Sequence, residues 1–310
     1  MTAELKISRR NVMLGVAGAA GAPLFVGTNA MAASGMITRP IPSTGEAMPV
    51  MGLGTWQAFD VGDNAAARAP LKDVLRALVD TGGRMIDTSP MYGSAETVVG
   101  HLVAELGLRS RVFLATKVWT SGKEAGIAQM RCSAERMKSP VLDLIQVHNL
   151  VDWRTHLATL RDMKAKGQVR YIGITHYTTG ALPELARILE SEPGIDFVQF
   201  GYSLATRDAE TKLLPVAAAR RVATIVNQPF ETGDMFRRVR GKKLPDWAAE
   251  FECTSWAQLF LKYTLAEPAV TAVIPATANP AHMEDDLKAG LGRLPDAQQR
   301  QKIRRLWDSL

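Results

Sequence analysis

Five short apolar runs sit in the middle of the chain: Val112-Phe-Leu-Ala-Thr116, Leu144-Ile-Gln-Val147, Tyr171-Ile-Gly-Ile174, Phe197-Val-Gln-Phe200 and Ala223-Thr-Ile-Val226. Each is too short for a buried helix and too continuously apolar for a strand with one wet face. They suit strands buried on both sides of a parallel sheet. Outward from this block the pattern continues. Thr271-Ala-Val-Ile274 follows it, and Met85-Ile-Asp87 and Val50-Met-Gly-Leu53 precede it. Amphipathic stretches lie between the runs, at 69–80, 95–106, 127–138, 154–165, 181–190, 208–220 and 255–266. In the first, Leu71, Val74, Leu75 and Leu78 share one face, with Pro70 near its start. Strands alternating with helices imply parallel crossovers. Eight such units in about 275 residues predict an α/β fold, a closed (β/α)8 TIM barrel, rather than a doubly wound sheet. No linker divides the region, so residues 33–310 are expected to form one domain.

Two segments fall outside the alternation. Residues 35–46, with Pro40, Pro42 and Gly45, read as a hairpin ahead of the first strand. The connection from Phe230 to Cys253 carries Arg237, Arg238, Arg240, Lys242 and Lys243. It is either a functional lid or a solvated charged face.

The bulk composition sets limits. With 46% hydrophobic and 22% charged residues among 310, the chain is ordinary globular stock. The 37 Lys and Arg exceed the 31 Asp and Glu by a net +6, with no long basic tract, which speaks against a nucleic-acid partner. Cys132 and Cys253 cannot build a disulfide scaffold, and the five histidines form no metal-ligand spacing; no metal is expected. Residues 11–38 carry no charge. Arg9-Arg10 precede a weakly apolar run, Val12 to Val26, and Ala30-Met31-Ala32 follow. A basic start, an apolar centre and a small-residue end describe an export signal over residues 1–32. The run is shorter than the ~20 residues needed to span a bilayer, so no stable membrane span is expected. The arginine pair resembles a twin-arginine signal, which implies the twin-arginine export machinery as a partner and a periplasmic destination. A chance pair or an uncleaved anchor are the other readings. Cleavage after Ala32 would remove Lys6, Arg9, Arg10 and Glu4, leaving a net charge of +4.

Barrels of this kind place their chemistry at the C-terminal ends of the strands. The second run ends in Asp87 and its loop holds Tyr92. The third run leads into Lys117 and the fourth into His148. Four protonatable groups after three consecutive strands can converge. A Lys⁺ beside a phenol lowers its pKa from about 10, and an Asp partner keeps a buried Lys charged. With His148 holding a substrate oxygen, the set can protonate a carbonyl as a hydride reaches its carbon.

The residues that carry this chemistry resemble the aldo-keto reductase family. The matching stretches are 83–96 around Asp87 and Tyr92, Ala115-Thr-Lys117-Val-Trp119, Asp143 to His148, Lys166 to Gly173, and Pro49-Val-Met-Gly-Leu-Gly-Thr-Trp56. The resemblance covers about residues 37–310. It implies an NAD(P)H-dependent oxidoreductase reducing an aldehyde or ketone, a small-molecule carbonyl substrate, and Asp87, Tyr92, Lys117 and His148 as catalytic tetrad. Tyr92 would be the general acid. For the cofactor the resemblance implies NADP(H) in preference to NAD(H), held by Thr175, His176, Gln199, Asn227, Pro229, Thr277, Asn279 and His282. The chain departs from the family pattern at several of these. Thr175-His176 stand for Ser-Asn, Asn227 replaces an aromatic that stacks on nicotinamide, and Ala276 and His282 take the places of Lys and Arg. Asp285 and Asp286 add negative charge there, and the basic 237–243 loop offers a substitute cation. Trp56, Met91, Trp119 and Asn149 flank the tetrad as pocket-wall candidates. A non-catalytic nucleotide-binding or regulatory protein on the same barrel is the alternative.

Overall fold

The structure, a computed structural model, describes residues 35–310; the export signal read over residues 1–32 lies outside the described residues. The first elements are a hairpin, β1 (Thr38–Pro40) and β2 (Ala47–Pro49), paired antiparallel with Arg39 opposite Met48. Gly45 takes a positive φ of 79° in its turn, a conformation open to glycine at no steric cost. The expected hairpin over 35–46 is present and runs on to Pro49.

Eight parallel strands follow: β3 (Leu53–Gly54), β4 (Met85–Asp87), β5 (Phe113–Val118), β6 (Leu142–His148), β7 (Val169–His176), β8 (Phe197–Gly201), β9 (Ala223–Asn227) and β10 (Ala272–Val273). They neighbour one another in chain order. Parallel bridges from Met51 to Val273 and from Gly54 to Ala276 join first strand to last. Gly52 N–H donates to Val273 O at 2.9 Å across that seam. The predicted (β/α)8 barrel is the observed fold.

The helices are α1 (Ala65–Asp80), α2 (Ala95–Glu105), α3 (Lys123–Arg136), α4 (Trp153–Ala165), α5 (Leu182–Ser191), α6 (Leu213–Ala219), α7 (Asp234–Arg238), α8 (Trp256–Leu265), α9 (Pro280–Leu287) and α10 (Ala297–Ser309). α1 starts earlier than its apolar face suggests. Asn64 caps it, accepting from Ala67 N–H at 3.1 Å, and Pro70 sits inside the helix rather than at its start. The helix expected over 208–220 is broken. A 3-10 turn, Asp208–Glu210, precedes α6, whose third residue is Pro215. The apolar periodicity marks neither α7 nor α9 nor α10.

The strands' period of two organises the barrel interior. Met85, Phe113, Leu144, Tyr171, Phe197, Ala223 and Ala272 form one buried apolar cluster with Ile41 and Met48 of the hairpin. These are the lower, N-terminal positions, so the hairpin closes the barrel floor. Two or four residues further up the same strands, on the same face, stand Asp87, Lys117, Gln146, His148, Thr175, Gln199 and Asn227. The inward face thus turns from apolar to polar along β4 to β9. A second cluster, including Leu71, Val74, Leu75, Leu78, Val98 and Val99, packs between strands and helices. Four of these are the α1 positions expected from the 3.6-residue period.

Candidate active site

The upper interior is built around Asp87 at the end of β4. Its Oδ2 accepts from Lys117 Nζ of β5 at 2.6 Å. Its Oδ1 accepts from Gln146 Nε2 of β6 at 3.2 Å and Gln199 Nε2 of β8 at 3.1 Å. Lys117 also donates to Thr88 O at 2.8 Å. Asp87 and Lys117 are buried. A pair so enclosed is retained only if its remaining lone pairs and protons find partners, and removing one member strands the other at a cost of about 3–5 kcal/mol. Gly173 makes room for this network. A Cβ there would stand 2.7 Å from Phe197 O and 3.1 Å from Gln146 Cγ.

Tyr92 and His148 lie above the pair. Lys117 Nζ is 5.0 Å from the Tyr92 ring centroid. The His148 ring meets the Tyr92 ring edge-on, with centroids 5.9 Å apart at 85°. His148 Nδ1 is 3.0 Å from Ser89 Oγ. Burial raises the Tyr92 phenol above its ordinary value of 10.0, more than the Lys117 charge lowers it. Lys117 does pull the phenol down, as expected, but burial outweighs it, and Tyr92 keeps its proton through the neutral range. Burial lowers Lys117, but Asp87 and Tyr92 more than offset that, and the ammonium ends above its ordinary value. Burial, then the charges on Lys117 and His176, push His148 down to about 3, so its imidazole is neutral at pH 7.

A cavity of about 1090 Å³ opens above these groups, at the upper end of the roughly 300–1,000 Å³ of small-molecule sites. Of the residues expected from sequence, Asp87, Tyr92, His148, Thr175, Gln199, Asn227, Pro229, Thr277 and His282 line it, as do Trp56, Met91, Trp119 and Asn149. Lys117 lies behind Asp87. Two cofactor candidates are not on the wall. His176 stacks on Tyr177 with centroids 5.7 Å apart, and its Nδ1 accepts from Thr178 N–H at 3.3 Å. Asn279 caps α9, accepting from Ala281 N–H at 3.0 Å. The basic loop does not bring charge to the cavity either. Arg237 pairs with Asp234, Arg238 lies over the Trp307 ring at 4.4 Å, and Lys243 pairs with Asp246 at 3.0 Å. The same connection does contribute Phe230, Thr232, Gly233 and Phe236 to the wall, so it is part of the site through its aromatics.

Sequence reasoning missed Ser89, Gln146, Tyr177, Gln228 and Ser255. Gln146 stands two residues before His148 on the same strand face, a spacing that marks it as inward but not as a partner of Asp87. Gln57, Asn149, Gln228 and Thr232 line the cavity with positive φ of 59°, 51°, 51° and 53°, a costly backbone for non-glycine residues that clusters at functional sites.

The cavity fits a nicotinamide dinucleotide in its donors and acceptors. Asn149 Oδ1 and Asn227 Oδ1 are buried without partners, and an incoming carboxamide supplies the N–H groups they need. At the α9 end Thr277 and His282 line the wall, with Ser255, Asp285 and Asp286. Among the described lining residues there is no Lys or Arg, so His282 is what a phosphate would meet; the Ala281 N–H is taken by the Asn279 side chain and the Met283 N–H by the Asn279 carbonyl. Asp285 is occupied, accepting from Ser255 Oγ at 2.5 Å and Gln258 Nε2 at 2.6 Å. Asp286 is buried, and burial and then Asp285 push its carboxyl up to about 8.

Residues 50–308 match the model of the aldo/keto reductase family. A methylglyoxal reductase, YeaE, of Escherichia coli (strain K12) is 28% identical over 249 residues, 77% of this chain and 84% of that protein. An aldo-keto reductase of Mycobacterium sp. (strain KMS) is 29% identical, over 78% of this chain and 83% of its own. Two crystal structures of aldo-keto reductases from Klebsiella pneumoniae superpose on it. One, in complex with NADPH, has TM-score 0.74 and 26% identity, covering 88% of this chain and 96% of that one. The other, with NADP and acetate, has TM-score 0.73 and 27% identity, covering 85% and 93%.

Proposed function

The chain belongs to the aldo/keto reductase family, and from that premise we infer that it is an NAD(P)H-dependent reductase of small aldehydes or ketones. The observation that carries this reading is the buried Lys117–Asp87 pair, 2.6 Å apart, beneath Tyr92 and a neutral His148. The NADP- and NADPH-bound relatives support NADP(H) as cofactor.

Residues Thr175, Gln199 and Asn227 would hold the nicotinamide end and Thr277 and His282 the adenosine end. When bound, the cofactor supplies a hydride. The chain's own residues do the rest. Tyr92 donates its phenolic proton to the carbonyl oxygen, and the Lys117 ammonium stabilises the phenolate left behind. Asp87, held by three donors, keeps Lys117 charged. His148 offers an N–H to the same oxygen and so orients it. Trp56, Met91 and Trp119, exposed at the cavity wall, offer the substrate an apolar surface to cover.

Purified protein should oxidise NADPH in the presence of aldehydes, methylglyoxal among them. Tyr92→Phe should lower kcat by about 10²–10⁴ and leave NADPH affinity, read by fluorescence titration, nearly unchanged. A Tyr92→Phe enzyme with wild-type kcat would falsify the role given to Tyr92.

Residues 1–32 we read as a twin-arginine-type export segment that directs the barrel, residues 33–310, to the periplasm. Arg9-Arg10, the uncharged run and Ala30-Met31-Ala32 support this. Intact-mass analysis of periplasmic protein should find Ala33 as the first residue. Met1 or Thr2 retained in that fraction would overturn cleavage.

A further inference from the structure

Ser89 lies two residues beyond Asp87 and is wholly buried. Its hydroxyl makes two contacts. Oγ stands 3.0 Å from His148 Nδ1 and accepts from Met91 N–H at 3.4 Å. A neutral imidazole has one nitrogen that donates and one that accepts, and its neighbours decide which is which.

Two arrangements are open to the Ser89–His148 contact. In one, Nδ1 carries the proton and donates to Ser89 Oγ. The serine proton then has nowhere to go, since among the described residues no other acceptor meets Oγ and the group is closed to water. In the other, Ser89 O–H donates to Nδ1, and both Ser89 Oγ and His148 Nδ1 are satisfied. Buried donors left without acceptors are avoided, so the second arrangement is the one the surroundings select. It places the imidazole proton on Nε2, the nitrogen to which no described protein group hydrogen-bonds, on a ring that lines the cavity.

We propose that Ser89 is a positioning residue that fixes His148 as the Nε2–H tautomer, so that its free nitrogen meets a carbonyl oxygen as a donor. The assignment rests on the reductase reading for its catalytic consequence, but not for its structure. The wrong tautomer would present a lone pair to the substrate oxygen and repel it. His148 is neutral at pH 7, so its donor capacity depends on the tautomer and not on a second proton.

The test is ¹H–¹⁵N correlation of histidine ring-labelled protein at pH 7, with His148 assigned by its loss in His148→Gln. Wild-type protein is expected to show Nε2 protonated and Nδ1 unprotonated. Ser89→Ala is expected to populate the Nδ1–H form and to lower kcat about ten-fold, with the KM for the nicotinamide cofactor unchanged. A wild-type His148 protonated on Nδ1 overturns the proposal. So does a Ser89→Ala spectrum with the tautomer unchanged, or a tautomer shift that leaves kcat intact. The spectrum requires no turnover. A wild-type protein that reduces no carbonyl would refute the reductase reading while leaving the tautomer result standing.

Discussion

Burial moves two titratable side chains on the cavity wall, Asp286 and His148, in opposite directions, and the consequences for stability have opposite signs. For His148 the unfolded chain takes up a proton near pH 6.5, while the folded one waits until about pH 3. Stability is therefore lost as pH falls through that window. For Asp286 the unfolded chain gives up its proton near pH 3.8 and the folded one keeps it to about pH 8. Stability is lost as pH rises through that window. Asp286→Asn keeps the shape and removes the titration. Urea unfolding should find the variant more stable than wild type at pH 7.5, by about 1–3 kcal/mol, with the difference closing near pH 4. A variant no more stable at pH 7.5 would mean that Asp286 is ionised in the fold at little cost. At this scale the sequence was informative where chemistry ends a strand: Asp87, Lys117 and His148 could be picked out because each follows an apolar run. Ser89 and Gln146 could not, because nothing local marks a serine or glutamine as a partner of a residue on another strand. Their roles exist only once the barrel brings β4, β5 and β6 side by side.

Elements were legible in proportion to how much of their surface is buried. The strands are enclosed on both faces and write themselves as apolar runs. β3 and β10 shrink to two residues each because only short stretches of the seam keep regular pairing. α10 escaped the periodic reading because it is half-covered. Of Ala297–Ser309 only Ile303 and Trp307 are buried, too few to mark a face. Its start, however, is written in the sequence. Asp296 accepts from Gln299 N–H at 2.9 Å, and the Gln299 side chain accepts from Asp296 N–H at 3.0 Å, a reciprocal cap. Asp296→Ala should cost about 1 kcal/mol and lower Tm by about 2–4 °C in calorimetry. An unchanged Tm would place the hold on α10 in its other contacts: buried Ile303 and Trp307, the Arg238 contact, and the Arg300–Glu210 and Arg207–Asp308 pairs. α1 teaches the complementary lesson. Its apolar face starts at Leu71, but the cap at Asn64 decides where the helix begins.

For the molecule as a whole, alternation of strand and helix pointed to the barrel, because eight strand–helix units in about 275 residues match the closed (β/α)8 arrangement. The cofactor wall was only partly legible. Asn279 and His176 sit at positions a family pattern marks, yet Asn279 caps its own helix and His176 stacks on Tyr177. His176 ends β7 one residue out of phase with the inward-facing Thr175, so strand alternation turns it off the wall, and the start of α9 claims Asn279 as its cap. One feature at the other end of the barrel bears on all of this. Ile41 and Met48 of the hairpin fill the floor beneath Phe113, Tyr171 and Phe197, so the chamber is a cul-de-sac. Cofactor, carbonyl and alcohol must therefore all come and go at the end of the barrel that carries Tyr92 and His148. The closed end is left to bear the stability of the barrel, and the open end its exchange with solvent.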